Sequence, residues 1–165
     1  GHAHKSEAGA VHLNLWSSQA VAQAAADMDR DGYLVEQMVT DGVAEVLVAV
    51  LRDPAHGFVL TIGAGGVMTE ILMDVSTRLV PATAQDVRAA LTELRLYPVL
   101  RGYRGSPGIN IDALIQAVLG VQSFVLETAA HLEEVEINPL ICTPDRAVAV
   151  DALITMGVSN DRDTD

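Results

Sequence analysis

The sequence predicts an α+β fold, and three observations carry that expectation. Short runs rich in β-branched residues recur along the chain, each bounded by glycine, proline or aspartate. Two stretches place their apolar residues at helical spacing instead. The two kinds of segment mix without the regular alternation that builds a parallel sheet.

Taken in order, residues 8–15 (AGAVHLNL) alternate after their glycine and read as a strand. Ser17 and Ser18 are candidate caps for a helix over 19–28, with Val21, Ala24, Ala25 and Met28 on one face. Asp31-Gly32 turns the chain into a strand over 33–39, and Asp41-Gly42 turns it again. Strands are expected over 43–53, 58–63 and 67–75, and their short spacings favour antiparallel pairing. Thr83 with Asp86 forms a capping-box pattern that opens a helix to about residue 96. Residues 101–108 (RGYRGSPG) read as a loop. Asn110 caps the longest helix, over 111–131, whose stripe is Ile111, Leu114, Ile115, Val118, Val125 and Ala129. Two final strands, 135–142 and 147–154, flank the turn Thr143-Pro144-Asp145-Arg146, and the polar end of the chain reads as a frayed tail.

Composition narrows the function. Half of the 165 residues are hydrophobic, enough for a core and too many for a disordered chain. Ten basic residues against 22 acidic ones give a net charge of −12 and no basic patch, which argues against nucleic-acid and anionic-membrane partners. A nucleotide remains compatible, because backbone amides and a metal hold phosphates inside acidic proteins. The one cysteine, Cys142, excludes an internal disulfide and a multi-cysteine metal site, and it fits a reducing, cytoplasmic setting. No uninterrupted apolar run reaches membrane-spanning length.

The candidate chemistry concentrates in the last hairpin. Glu136 and Asn138 stand two apart, so in a strand both project to one side while Val135 and Ile137 project to the other. Asp151 falls on the neighbouring strand. Two carboxylates and an amide oxygen on one face suit a hard cation such as magnesium; the alternative is a pair of solvent-facing acids on a half-exposed hairpin. Glu36 lies on a strand whose backbone and carboxylate suit a purine nucleoside, or it is an exposed acid. Gly63, Gly65 and Gly66 form either a phosphate-approaching turn or a plain one. His4-Lys5-Ser6 with Gly9 pairs a cation, and a histidine able to carry a phosphoryl group, with a small-residue turn; a disordered start is the other reading.

In their order and spacing, these segments resemble the ATP-grasp domain of NDP-forming acyl-CoA synthetases, the group that includes ADP-forming acetate–CoA ligases and succinyl-CoA synthetase β subunits. The matching stretches are 4–11, 34–39, 44–72, 101–105 (RGYRG), 136–142 (EINPLIC) and 149–153. The resemblance implies a partial lid subdomain over 1–39, a C-terminal subdomain over 40–156 with a mostly antiparallel sheet and two longer helices, and a disordered tail over 157–165. It implies ATP/ADP and Mg2+ as cofactors. Glu36 then takes the adenine–ribose end of ATP, with the main chain of Met38 and Val39 reading the base, and Glu45 is a further ATP-contacting acid. Asn138 and Asp151 are the implied magnesium ligands, with Glu136 as a third ligand or a supporting group. Lys5, Ser6 and Gly9 cover the phosphates, His4 relays phosphate with Glu70 orienting it, and Gly65 and Gly66 line the phosphate path.

The implied reaction is acid + CoA + ATP ⇌ acyl-CoA + ADP + phosphate, through a phosphohistidine on a CoA-binding partner domain or subunit. Ala10 stands where the family has a second glycine in the phosphate loop. The family's ATP-binding lysine on an earlier strand has no counterpart here, so the chain is expected to be a fragment that binds ATP weakly alone. An unpaired lid edge would then favour a homo-oligomer. A non-catalytic module supporting a fused acyltransferase or dimerisation is the alternative function, and another ATP-grasp carboxylate–amine ligase is a third.

Overall fold

The computed structural model describes residues 3–5, 11–15 and 33–157, the first three strands as backbone. The chain divides into two compact units, Gly1–Thr40 and Asp41–Asp165. In the first unit β1 (Ala3–Lys5) pairs antiparallel with β2 (Val11–Leu15), and β2 pairs parallel with β3 (Tyr33–Gln37). The helix expected over 19–28 lies outside the described residues, as do Ser6 and Gly9 of the expected phosphate loop.

The second unit is a six-stranded sheet with helices against one face. Its order is β6 (Val75–Leu79), β5 (Gly57–Ala64), β4 (Ala44–Asp53), β7 (Leu132–Cys142) and β8 (Ala147–Ala149), with β9 (Ala152–Met156) also on β7. All its pairings are antiparallel, as the short turns require. The β4–β5 turn is set locally: the Asp53 carboxylate accepts from the amides of Ala55 and His56, both at 2.8 Å, and Gly57 closes the turn at φ +82°.

The helices are α2 (Ala84–Glu93), α3 (Tyr97–Leu100) and α4 (Ile111–Glu127), after a short α1 (Thr69–Leu72). The capping box on α2 is complete: the Thr83 hydroxyl accepts from Asp86 N, and the Asp86 carboxylate accepts from Thr83 N. Asn110 caps α4 through Ala113 N at 3.0 Å. Val87, Ala90 and Leu91 of α2, with Leu114, Ile115, Val118 and Val125 of α4, pack on alternate strand residues Val46, Val48, Val50, Leu60 and Ile62. That period-two burial along β4 and β5 defines the inner face. The opposite face is open, with Leu51, Val75, Leu79 and Leu153 exposed on it.

The structure corrects three expectations. Residues 67–75 are not one strand: a 3-10 turn over Gly66–Met68 leads into α1, and the sheet resumes only at Val75. Gly66 at φ +65° turns the chain out of the ladder, and Thr69 O accepts from Met73 N at 3.2 Å. Their apolar residues misled because they do not enter the core: Val67, Ile71 and Met73 are exposed. Residues 147–154 split into β8 and β9 because they face Pro139, which has no N–H for the ladder. The longest helix stops at Glu127, where the Thr128 hydroxyl bonds back to Phe124 O at 2.6 Å. Past β9, Gly157 N donates to His131 O at 2.6 Å.

Candidate functional site

The strand registers decide which predicted residues share the open face. Glu136 pairs with Ala49 and Glu45 with Ile141, both in the outward phase of their strands. Between them the ladder slips: Ile137 faces Val48 and Leu140 faces Val46, so residues 138 and 139 stand opposite Leu47 alone. This is a β-bulge, a device that re-aims a side chain. Across on the other side, Asn138 N donates to Asp151 O at 3.3 Å and Val150 N to Pro139 O at 3.3 Å. Asp151 therefore stands across from Asn138 along the backbone, in the break between β8 and β9.

Asn138 is held at both ends of its amide. Its Oδ1 accepts from Gly66 N at 2.8 Å, and its Nδ2 donates to Glu136 Oε1 at 3.4 Å. The donor from Gly66 and the acceptor at Glu136 assign the two ends of the amide without ambiguity. Gly65 N in turn donates to Glu45 O at 2.9 Å, and a Cβ on Gly66 would lie 1.6 Å from Glu45 Oε2. The Glu45 carboxylate thus occupies the space that any larger residue at 66 would need.

Five predicted residues are brought together in this way: Glu45, Gly65, Gly66, Glu136 and Asn138, with Asp151 opposite. Glu45 and Asp151 are exposed and Glu136 is half-buried, and among the described residues none of the three carboxylates forms a salt bridge. The described residues hold no cluster of three or more His, Cys, Asp or Glu side chains able to bind a metal. The donor set is instead an amide oxygen and carboxylates, the oxygen chemistry that magnesium takes while keeping waters and phosphate oxygens as its other ligands. Glu136 is engaged with the N–H end of Asn138, so in this structure it orients that amide.

The remaining candidates lie elsewhere. His4 and Lys5 are on β1 and Glu36 on β3, in register with Asn14; Met38 and Val39 follow as partly buried coil, all in the first unit. Glu70 falls within α1, its side chain outside the described residues. Sequence reasoning missed Asp74. It is buried, its carboxylate accepts from Arg95 N at 2.9 Å and Leu96 N at 2.8 Å, and its carbonyl accepts from Ala64 N at 3.0 Å. An acid closing an apolar run was the available signal, but it read as the end of a strand. A surface depression of about 560 Å³ beside Asp41, Val43, Ser106, Pro107, Pro144 and Asp145 contains none of the predicted site residues. No helix among the described residues is long and apolar enough to cross a membrane.

Comparison with known proteins supplies the context for this geometry. The chain is 36% identical over 160 residues to the β subunit of ADP-forming acetate–CoA ligase I of Pyrococcus furiosus, covering 90% of this chain and 68% of that subunit. It is 32% identical over 164 residues to ADP-forming acetate–CoA ligase I of Archaeoglobus fulgidus, of which it covers 24%. Among solved structures it resembles the dinucleotide-forming acetyl-coenzyme A synthetase 1 of Ca. Korarchaeum cryptofilum in complex with coenzyme A and Mg-AMPPCP, with a TM-score of 0.77, 33% identity, and coverage of 93% of this chain and 70% of that one. The ATP-grasp domain family matches residues 2–156. These matches, over nearly the whole chain, place this protein in the ATP-grasp domain family of ADP-forming acetate–CoA ligases.

Proposed function

We propose that this chain is the nucleotide- and magnesium-binding portion of an ADP-forming acyl-CoA synthetase, which converts acid, CoA and ATP into acyl-CoA, ADP and phosphate. The observation that carries this reading is the backbone bond from Asn138 N to Asp151 O, which brings the two residues opposite one another. Asn138 and Asp151 would hold magnesium. Glu136 and the Gly66 amide keep the Asn138 oxygen in a fixed direction. Bound there, the metal supplies charge neutralisation and alignment for phosphoryl groups, the main need of such a transfer.

Glu45 takes a nucleotide contact beside the Gly65-Gly66 turn, whose backbone passes the phosphates. Glu36, with the main chain of Met38 and Val39, binds the base and ribose, while Lys5, Ser6 and Gly9 cover the phosphates. His4, oriented by Glu70, passes phosphate toward a partner domain or subunit that binds CoA and carries the phosphohistidine. Support comes from the relatives: one is a β subunit of a ligase, and the Korarchaeum structure contains coenzyme A and Mg-AMPPCP with its phosphohistidine segment pointing towards the nucleotide site.

The direct test is Asp151→Ala in the full-length protein. Because Asp151 is exposed, the variant should fold like wild type by circular dichroism while magnesium-dependent ligation falls by ~100-fold, the top of the range for groups that only support a metal ligand. Unchanged ligation would make Asp151 structural and remove the metal assignment.

A further inference from the structure

Gly66 is the residue at which the oxygen-bearing face and an exposed segment meet. From Gly66 to Met73 the chain contributes little to the core: Val67 is 87% exposed, Ile71 73% and Met73 78%. Segments with few buried contacts open locally at low free energy unless tied. Two sets of ties hold this one. At its far end, Asp74 anchors it through Arg95 N, Leu96 N and Ala64 N. At its near end the ties are Gly65 N to Glu45 O and Gly66 N to Asn138 Oδ1.

The Gly66 bond thus has two consequences. It tethers the segment, and it orients the side chain assigned above as a cation ligand. An amide oxygen has two acceptor directions, so donation from Gly66 leaves one for a metal. The glycine is required on two further counts. Its φ of +65° disfavours a side chain, and the Glu45 carboxylate fills the place of a Cβ. No other residue type allows that carboxylate and the N–H···Asn138 bond together.

Resting on the magnesium reading, we propose that Gly66 is a positioning residue for the divalent cation: its amide orients Asn138, so that cation occupancy and the order of segment 66–73 are coupled. Coupling of this kind is reciprocal. Whatever the 66–73 amide tether adds to cation affinity, the cation returns to the order of the segment. Since α1 carries Glu70, the coupling extends to the backbone that presents that residue.

Amide hydrogen exchange on the full chain tests both halves. Without metal, Asn138→Ala should raise exchange at Gly66 and across 67–73, whereas Asn138→Asp, which keeps an acceptor, should stay near wild type. Unchanged exchange in Asn138→Ala would overturn the tether. With Mg2+ plus AMPPCP as the probe, wild type should show protection at 66–73 that saturates together with backbone shifts at 136–138 and 151. In a Glu45→Ala background, which removes the carboxylate that a Cβ would meet, Gly66→Ala strains the backbone at φ +65°, pulls its amide off Asn138 and should bind Mg2+ ~10-fold more weakly than Glu45→Ala alone, the usual scale for losing a group that orients a ligand. Shifts at 136–138 and 151 with no change at 66–73, or an affinity unaltered when Gly66→Ala is added to Glu45→Ala, would refute the coupling and leave the cation site standing. Absence of any shift in wild type would instead remove the cation site itself, and the coupling with it.

Discussion

Replacing the buried Asp74 should destabilise the second unit more than replacing any of its exposed acids. The residue is only 9% exposed, and its carboxylate accepts two backbone N–H bonds, at 2.9 Å from Arg95 and 2.8 Å from Leu96. A hydrogen bond to an ionised acceptor contributes roughly 1.5–3 kcal/mol, so the pair sets a ceiling near ~6 kcal/mol. The site borders solvent, and water entering after truncation would satisfy part of both amides, which brings Asp74→Ala to about 3 kcal/mol. Asp74→Asn keeps one acceptor and should cost about half as much. Urea unfolding followed by circular dichroism should show a lower midpoint with an unchanged slope, the sign of altered stability without altered compactness. Exchange at Ala64, whose amide donates to Asp74 O, should rise in the same variant. A loss below ~1 kcal/mol, or an Asn variant as damaged as the Ala variant, would show that the two amides find other partners and that Asp74 does not anchor the segment.

Three further perturbations have separate readouts. Gln122 is buried and clasps Ala82 from both ends, accepting from its N–H at 2.6 Å and donating to its C=O at 3.1 Å; Gln122→Leu strands both groups and should cost about 2–4 kcal/mol in the same urea assay. Thr83→Ala removes half of the α2 capping box and should cost about 1 kcal/mol. Bonds from Thr83 hold the Asp86 carboxyl below its usual range, so the box should stabilise at neutral pH and weaken as pH falls through that depressed value, read as a loss of the Thr83→Ala difference in acid. Burial pushes the Cys142 thiol up to about 12. The folded chain then keeps a proton that the unfolded chain releases near pH 9, so stability should decline as pH rises above about 9. Buried and protonated at neutral pH, the thiol should resist alkylation until denaturant is added.

Local chemistry makes much of this fold legible in the sequence. The Thr83–Asp86 box and the Asn110 cap are decided by side chains bonding to backbone three residues away, and each lies where the pattern places it. The stripes of α2 and α4 are also legible, since burial repeats with the period of the helix. The spacing of Glu136 and Asn138 is legible too. Residues 67–75 are the exception because apolar, β-branched composition reports a preference for burial and not its outcome. Here Gly66 leaves the ladder and the apolar side chains stay in solvent.

Only the tertiary structure decided how the site is assembled. That Asn138 sits on a bulge opposite Leu47, that its oxygen is taken by an amide 72 positions away, and that Glu136 grips its other end depend on pairings among β4, β5 and β7. Asp151 reaches Asn138 through a ladder interrupted at Pro139. Asp74 likewise becomes an anchor only when the end of α2 is brought over it. A sequence states which donors and acceptors exist; long-range register states which of them meet, because the energy of those bonds is gained only after the sheet has brought distant segments together.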